Sequence, residues 1–126
     1  MYSAINLVSV AVVSIGIAMA VFDDYVIDVL MRDLVGHDRK PAAFLVYLWL
    51  ATEQAHENSE TRVSYQQVAE SVGISKSSAQ AAIRWLLKRK LLSVEKETAT
   101  STPAYTVRSP WRESQRRVKD HQRGPK

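Results

Sequence analysis

Between Lys76 and Lys90 the chain carries five bases, Lys76, Arg84, Lys88, Arg89 and Lys90, and no acid. In the same stretch Ala79, Ala82, Ile83 and Leu86 recur at helical spacing, which predicts a helix with one apolar side. Ser77, Ala81, Arg84 and Lys88 then fall on the opposite side, with Gln80 at its edge. Small residues at the start of such a helix allow its backbone to approach a nucleic-acid duplex, and its N-terminal amides can meet a phosphate. Lys76, Gln80 and Arg84 can reach base edges. Glutamine suits the donor and acceptor of adenine and arginine the two acceptors of guanine, each bidentate contact discriminating by roughly 1 to 3 kcal/mol. The competing reading is a generic helical hairpin whose basic side is solvated.

Such a helix needs a partner that holds it at an angle. Ser64 can cap a helix beginning at Tyr65, with Gln67 completing a capping box, and Val68, Ala69 and Val72 share its inward side. Gly73 can take the left-handed conformation that ends a helix, Ile74 fills the angle, and Ser75 caps the helix that follows. This is a helix-turn-helix pattern. The run from Val68 to Ile83, continued by Arg84-Trp85-Leu86-Leu87-Lys88-Arg89-Lys90-Leu91-Leu92, resembles the DNA-binding half of bacterial winged helix-turn-helix proteins. GntR-type and MarR-type repressors and plasmid replication initiators are of this kind.

The resemblance covers about residues 39 to 108. It implies a mainly α fold with a small antiparallel β wing, a three-helix core plus a β-hairpin, and the second helix of the motif, about 76–90, in the major groove. Ala69 and Gly73 match the family's small residue and turn glycine, Ser75 its helix cap, and Lys76, Ser77, Ser78, Gln80 and Arg84 its groove-facing positions. With Tyr65, Lys88 and Lys96 these form the expected DNA-binding set. The sequence departs from the family in two places. Lys90 stands where many relatives end the helix on glycine, and the expected wing has no glycine and Lys96 as its one base.

Three segments are expected: an uncharged apolar stretch over 1–21, the winged domain over 22–108, and a basic, flexible tail over 109–126. No charge occurs in residues 1 to 22, which are long enough to span a bilayer. A membrane anchor, a signal peptide, and an extension or partner helix outside the functional fold compete for this stretch, and the last is preferred. An extra amphipathic helix is expected from Asp23 or Asp24 to Val35, with Val26, Ile27, Leu30 and Leu34 on one stripe and Gly36 at its end. The next helix opens at Asp38 or before Pro41 and buries Phe44, Leu45, Leu48, Trp49 and Ala55. Tyr47 is an expected core aromatic too. Arg62-Val63-Ser64 reads as a short strand, Leu92, Val94 and Lys96 as one wing strand, and Tyr105 with Val107 as its partner. Thr98 to Pro103 reads as a flexible tip.

The charge is polarised. From Arg108 to the end there are seven bases and two acids, whereas Asp23 to Glu60 holds eight acids and three bases, within a chain of net +4. One side is suited to a polyanion, although the tail taken alone is equally a solvated end. Absence of cysteine excludes disulfides and thiolate chemistry and agrees with a cytoplasmic setting. His37, His56 and His121 have no partner at a metal spacing, and there is no phosphate-binding glycine loop or paired carboxylate set. A non-enzymatic, cofactor-free reader of double-stranded DNA is therefore the leading expectation, either a transcriptional regulator or a replication-initiator piece. Dimerisation through Asp23 to Val35 would match paired half-sites. The alternative is a protein-interaction module using the winged fold, tethered to a membrane through residues 1–22. In that reading Trp85 is the candidate anchor, unless it packs on the wing.

Overall fold

The computed structural model describes residues 20–114. What was expected of the uncharged run up to residue 19 and of the tail from residue 115 lies outside the described residues. The described elements are α1, in two π-helical pieces Val26–Leu30 and Arg32–His37; α2, Pro41–Glu57; β1, Thr61–Arg62; α3, Tyr65–Val72; α4, Lys76–Lys88; β2, Leu92–Glu95; and β3, Ala104–Val107, with a further helical stretch at the end of the described residues. The molecule is mainly helical with a three-stranded antiparallel sheet in the order β1-β3-β2. Among the described residues no helix is long and apolar enough to cross a membrane.

The wide turns of α1 correct the expectation of an ordinary amphipathic helix. Val26, Leu30 and Leu34 are buried at four-residue spacing. All three join the core cluster, and the second piece of α1 packs on α2. Ile27, expected on the same stripe, is instead half exposed with Met31 and Val35 in the adjoining row. Gly36 does not end the segment. Asp38 donates its amide to the Asp33 carbonyl, and the chain turns at Arg39, whose φ is 56°.

Pro41 takes the first position of α2. Its buried side is Ala43, Phe44, Val46, Tyr47 and Leu50, one helical stripe. Leu45 and Ala55 are exposed and Leu48 and Trp49 half buried, so the expected broad face was drawn too far around the helix. Val68, Ala69, Ala79, Ala82, Ile83 and Leu86 complete the core from α3 and α4, with Leu91, Leu92 and Tyr105 beneath.

β1 begins one residue earlier than expected, because Ser64 is committed to capping α3. β2 and β3 pair from Leu92↔Val107 to Glu95↔Ala104, which leaves Lys96 beyond the ladder. The loop between them is tied by its own side chains: Ser101 Oγ accepts from the Thr98 amide at 3.1 Å and lies 2.6 Å from Thr98 Oγ1. On the other side of β3, the Val107 amide donates to Gln54 Oε1 at 2.6 Å, so a glutamine of α2 finishes the edge that β1 is too short to cover.

Residues 110–114 are helical and belong to the folded body, contrary to the expected boundary at 108. Trp111 stacks on Tyr25 with ring centroids 4.5 Å apart and donates its indole N–H to Asp23 at 2.8 Å. Arg112 Nη2 adds a bond to the same carboxylate at 2.6 Å. The chain after β3 is thereby clasped to the chain before α1.

Candidate nucleic-acid interface

Local chemistry fixes the angle between α3 and α4. Ser64 Oγ accepts from the Gln67 amide at 3.2 Å while Gln67 Oε1 accepts from the Ser64 amide at 2.8 Å, the reciprocal cap that starts α3 at Tyr65. Gly73 ends it at φ 87°, and the amides of Gly73 and Ile74 both reach the Ala69 carbonyl. Ser75 then caps α4, accepting from the Ser78 amide at 3.1 Å. Its hydroxyl also donates to Ser78 Oγ at 2.8 Å and lies 3.2 Å from Ser77 Oγ. Lys76 and Ser77, as the first two residues of α4, keep amides with no intrahelical acceptor.

Along α4 the division is complete. Ala79, Ala82, Ile83 and Leu86 are buried, while Lys76, Ser77, Ser78, Ala81, Arg84 and Lys88 are exposed and Gln80 is half buried. None of Lys76, Gln80, Arg84 and Lys88 has a hydrogen bond or ion pair from its side chain among the described residues. Two of the expected site residues stand apart from this side. Tyr65 is half buried and packs on the core, where its ring adjoins Tyr105, whose phenol burial pushes above its ordinary pKa. Lys96 is exposed beyond β2 between Glu95 and Glu97.

Sequence patterning missed the residues around the far end of α4. Trp85 is half buried and packs against the core. Its indole N–H donates to Asp38 at 3.0 Å, and Arg89 Nε approaches the same carboxylate oxygen at 3.3 Å. The Asp38 side chain is 4% exposed. Burial would raise its pKa, but hydrogen bonds from His37 and Trp85 and the Arg89 charge outweigh it and hold the carboxyl below its ordinary range. A Schellman motif closes the helix: the Leu91 amide donates to Leu86, the Lys90 amide to Leu87, and Lys90 sits at φ 60°. Lys90 thus performs the turn for which relatives of the resembled family use glycine. The one signal for this cluster was the charge run Lys88-Arg89-Lys90; nothing local pointed to Asp38.

A second concavity offers less chemistry. An open cleft of about 380 Å³ lies beside Asp23, Tyr47, Gln54, Trp111 and Arg112. Several of its polar groups are already engaged within the fold. Tyr47 donates to the Arg108 carbonyl, Gln54 serves β3, and Arg112 with Trp111 holds the Asp23 carboxyl down at a pKa of about 2. Among the described residues no group of three or more His, Asp or Glu side chains is placed to hold a metal ion.

Neither a protein-family model, nor a curated protein, nor a solved structure matches the chain.

Proposed function

We propose that the chain is a winged helix-turn-helix protein that binds double-stranded DNA in a sequence-specific, non-enzymatic manner, as a transcriptional regulator or the DNA-reading part of a replication initiator. The observation that carries this reading is the exposed side of α4, where the side chains of Lys76, Gln80, Arg84 and Lys88 have no hydrogen-bond or ion-pair partner among the described residues and no acid interrupts them in sequence. The buried side of the same helix is locked by Ala79, Ile83 and Leu86, so the outward side chains are presented on a rigid element. Small residues at its start, free amides at Lys76 and Ser77, and the β2–β3 hairpin that follows α4 all suit a helix laid in the major groove. A cytoplasmic setting goes with this function. The decisive experiment is selection of bound fragments from random duplex using the full chain. An enriched motif is expected, and recovery of unselected sequence alone would overturn sequence-specific reading.

A protein partner is favoured elsewhere on the surface. Ile27, Met31 and Val35 form an exposed apolar row on α1, 50%, 38% and 40% accessible. That row suits a second copy of the chain, as a dimeric reader of paired half-sites would need. The interaction-module alternative requires apolar anchors on α4 as well, and Trp85 is turned towards Asp38 instead.

A further inference from the structure

Trp85 is the centre of a cationic cluster assembled from two distant stretches of chain. Lys40 Nζ and Lys88 Nζ each lie over its ring, 5.3 Å from the centroid. Arg39 precedes Lys40, and Arg89 and Lys90 follow Lys88. Among these five bases the one carboxylate is Asp38, which is spent on Arg89, His37 and the Trp85 indole. Lys40 and Lys88 have no ion-pair partner among the described residues.

Helix stability accounts for some of these bases and not for others. Lys88, Arg89 and Lys90 stand at the C-terminus of α4, where the helix dipole favours cations. Lys40 is at the opposite kind of end. It is the N-cap of α2, makes no side-chain cap, and places its charge where the dipole is already positive. The indole ring attracts both ammoniums and so offsets part of the cost of placing two cations beside it. Among the described residues no carboxylate answers either ammonium, which leaves both open to an anionic ligand.

We propose that the Trp85 platform is a phosphate clamp, in which Lys40 and Lys88, flanked by Arg39 and Lys90, grip the sugar-phosphate backbone of double-stranded DNA beside the groove-facing side of α4. This rests on the DNA-binding reading above. Lys88 lies one turn beyond Arg84 on the same exposed side, so a duplex that meets Arg84 carries its backbone past Lys88 and the adjoining Lys40. Asp38 and Trp85 are positioning residues: they fix the ring on which the two ammoniums rest.

The test compares the full chain with Lys40→Gln, Lys88→Gln and the double variant. Fluorescence anisotropy on labelled random-sequence duplex is measured across a salt series, with binding to phosphatidylserine-containing vesicles and melting temperature in parallel. Each lost phosphate contact lowers the slope of log affinity against log salt by about 0.9, so the double variant is expected to lose about 1.8 and either single variant about half of that. Preference for a selected site over random duplex is expected to persist, with unchanged melting. Duplex binding whose salt slope is the same in all three variants would overturn the clamp and leave the proposed function standing. Failure of the unsubstituted chain to bind any duplex would overturn both. Vesicle binding that the double variant loses, with duplex binding intact, would overturn the clamp by assigning the cluster to lipid headgroups.

Discussion

The bases of α4 and the two described bases that follow β3, Arg108 and Arg112, look alike in a charge count and are used differently. Arg84 and Lys88 project from a helix whose other side is buried, and no carboxylate among the described residues answers them. Arg108 and Arg112 are each closed by an acid, Glu113 at 2.6 Å and Asp23 at 2.6 Å. The second pair holds the chain after β3 against the chain before α1. Charge that is neutralised within the fold has little left for a polyanion, so the contrast separates bases that can bind from bases that staple.

The largest effect expected from this contrast is on site recognition. Arg84→Ala and Gln80→Ala should each cost roughly 1 to 3 kcal/mol on a selected site, with little change on random duplex and none in melting temperature. Arg112→Ala should do the reverse, lowering melting temperature while site preference stays intact. Affinities for selected and random duplex, measured beside thermal melts, decide it. Loss of site preference in Arg112→Ala, or unfolding of Arg84→Ala, would erase the distinction.

Lys90 belongs to both classes, since it is a base of the α4 cluster and also the left-handed residue that closes the helix. A left-handed conformation costs an L-residue about 1 to 2 kcal/mol, and glycine gives back part of that gain through its freer unfolded chain. Lys90→Gly should therefore stabilise the protein by about 0.5 to 1 kcal/mol in urea denaturation while lowering affinity for random duplex. A loss of stability would mean that the side chain matters more to the fold than the backbone strain.

How far these distinctions were legible in the sequence depends on the distance between the groups involved. Caps are local signals. Ser64 with Gln67, Gly73, and Ser75 lie within a few residues of what they satisfy, and the spacing of Ala79, Ala82, Ile83 and Leu86 gives the buried side of α4 directly. Trp85 and Asp38 are 47 positions apart and Trp111 and Asp23 are 88 apart, and no periodicity connects them. Pairing of that kind decides which charges are free, so the basic run was visible and its division into binding and stapling bases was not. The π turns of α1 were hidden for a related reason. A four-residue spacing of Val26, Leu30 and Leu34 fits an ordinary helix as well, so the pattern does not distinguish the two. Tyr65, at the start of α3, is half buried against the core, which no local pattern announces.

Acid should act on the stapling class first. The Arg112 hydrogen bond, with that of Trp111, lowers the pKa of Asp23 from an ordinary 3.8 to about 2 on folding. The unfolded chain therefore takes up this proton more readily than the folded one. Stabilisation by the clasp is complete above the ordinary value and drains away as the pH falls towards 2. Asp38 is shifted in the same direction and adds to the loss. Asp23→Asn should be less stable at neutral pH and show a shallower decline of melting temperature through that window. Parallel acid-melting curves for the two proteins would lack such a convergence if the clasp contributed nothing.

The smallest effect is expected at Lys96, the base the resemblance places on the wing. It lies past the last paired residue of β2, with Glu95 before it and Glu97 after it, and Glu97 reaches Arg62 at 3.4 Å. A duplex approaching this tip meets more negative than positive charge, which works against a phosphate contact there. Lys96→Gln should therefore change the salt slope by well under the 0.9 expected for one full phosphate contact, and leave site preference as it was. Salt titrations of Lys96→Gln and Lys88→Gln on the same random duplex make the comparison direct. A fall of about 0.9 for Lys96→Gln would show that the hairpin grips the backbone in spite of its acids, and would move the centre of the interface from the far end of α4 towards the sheet.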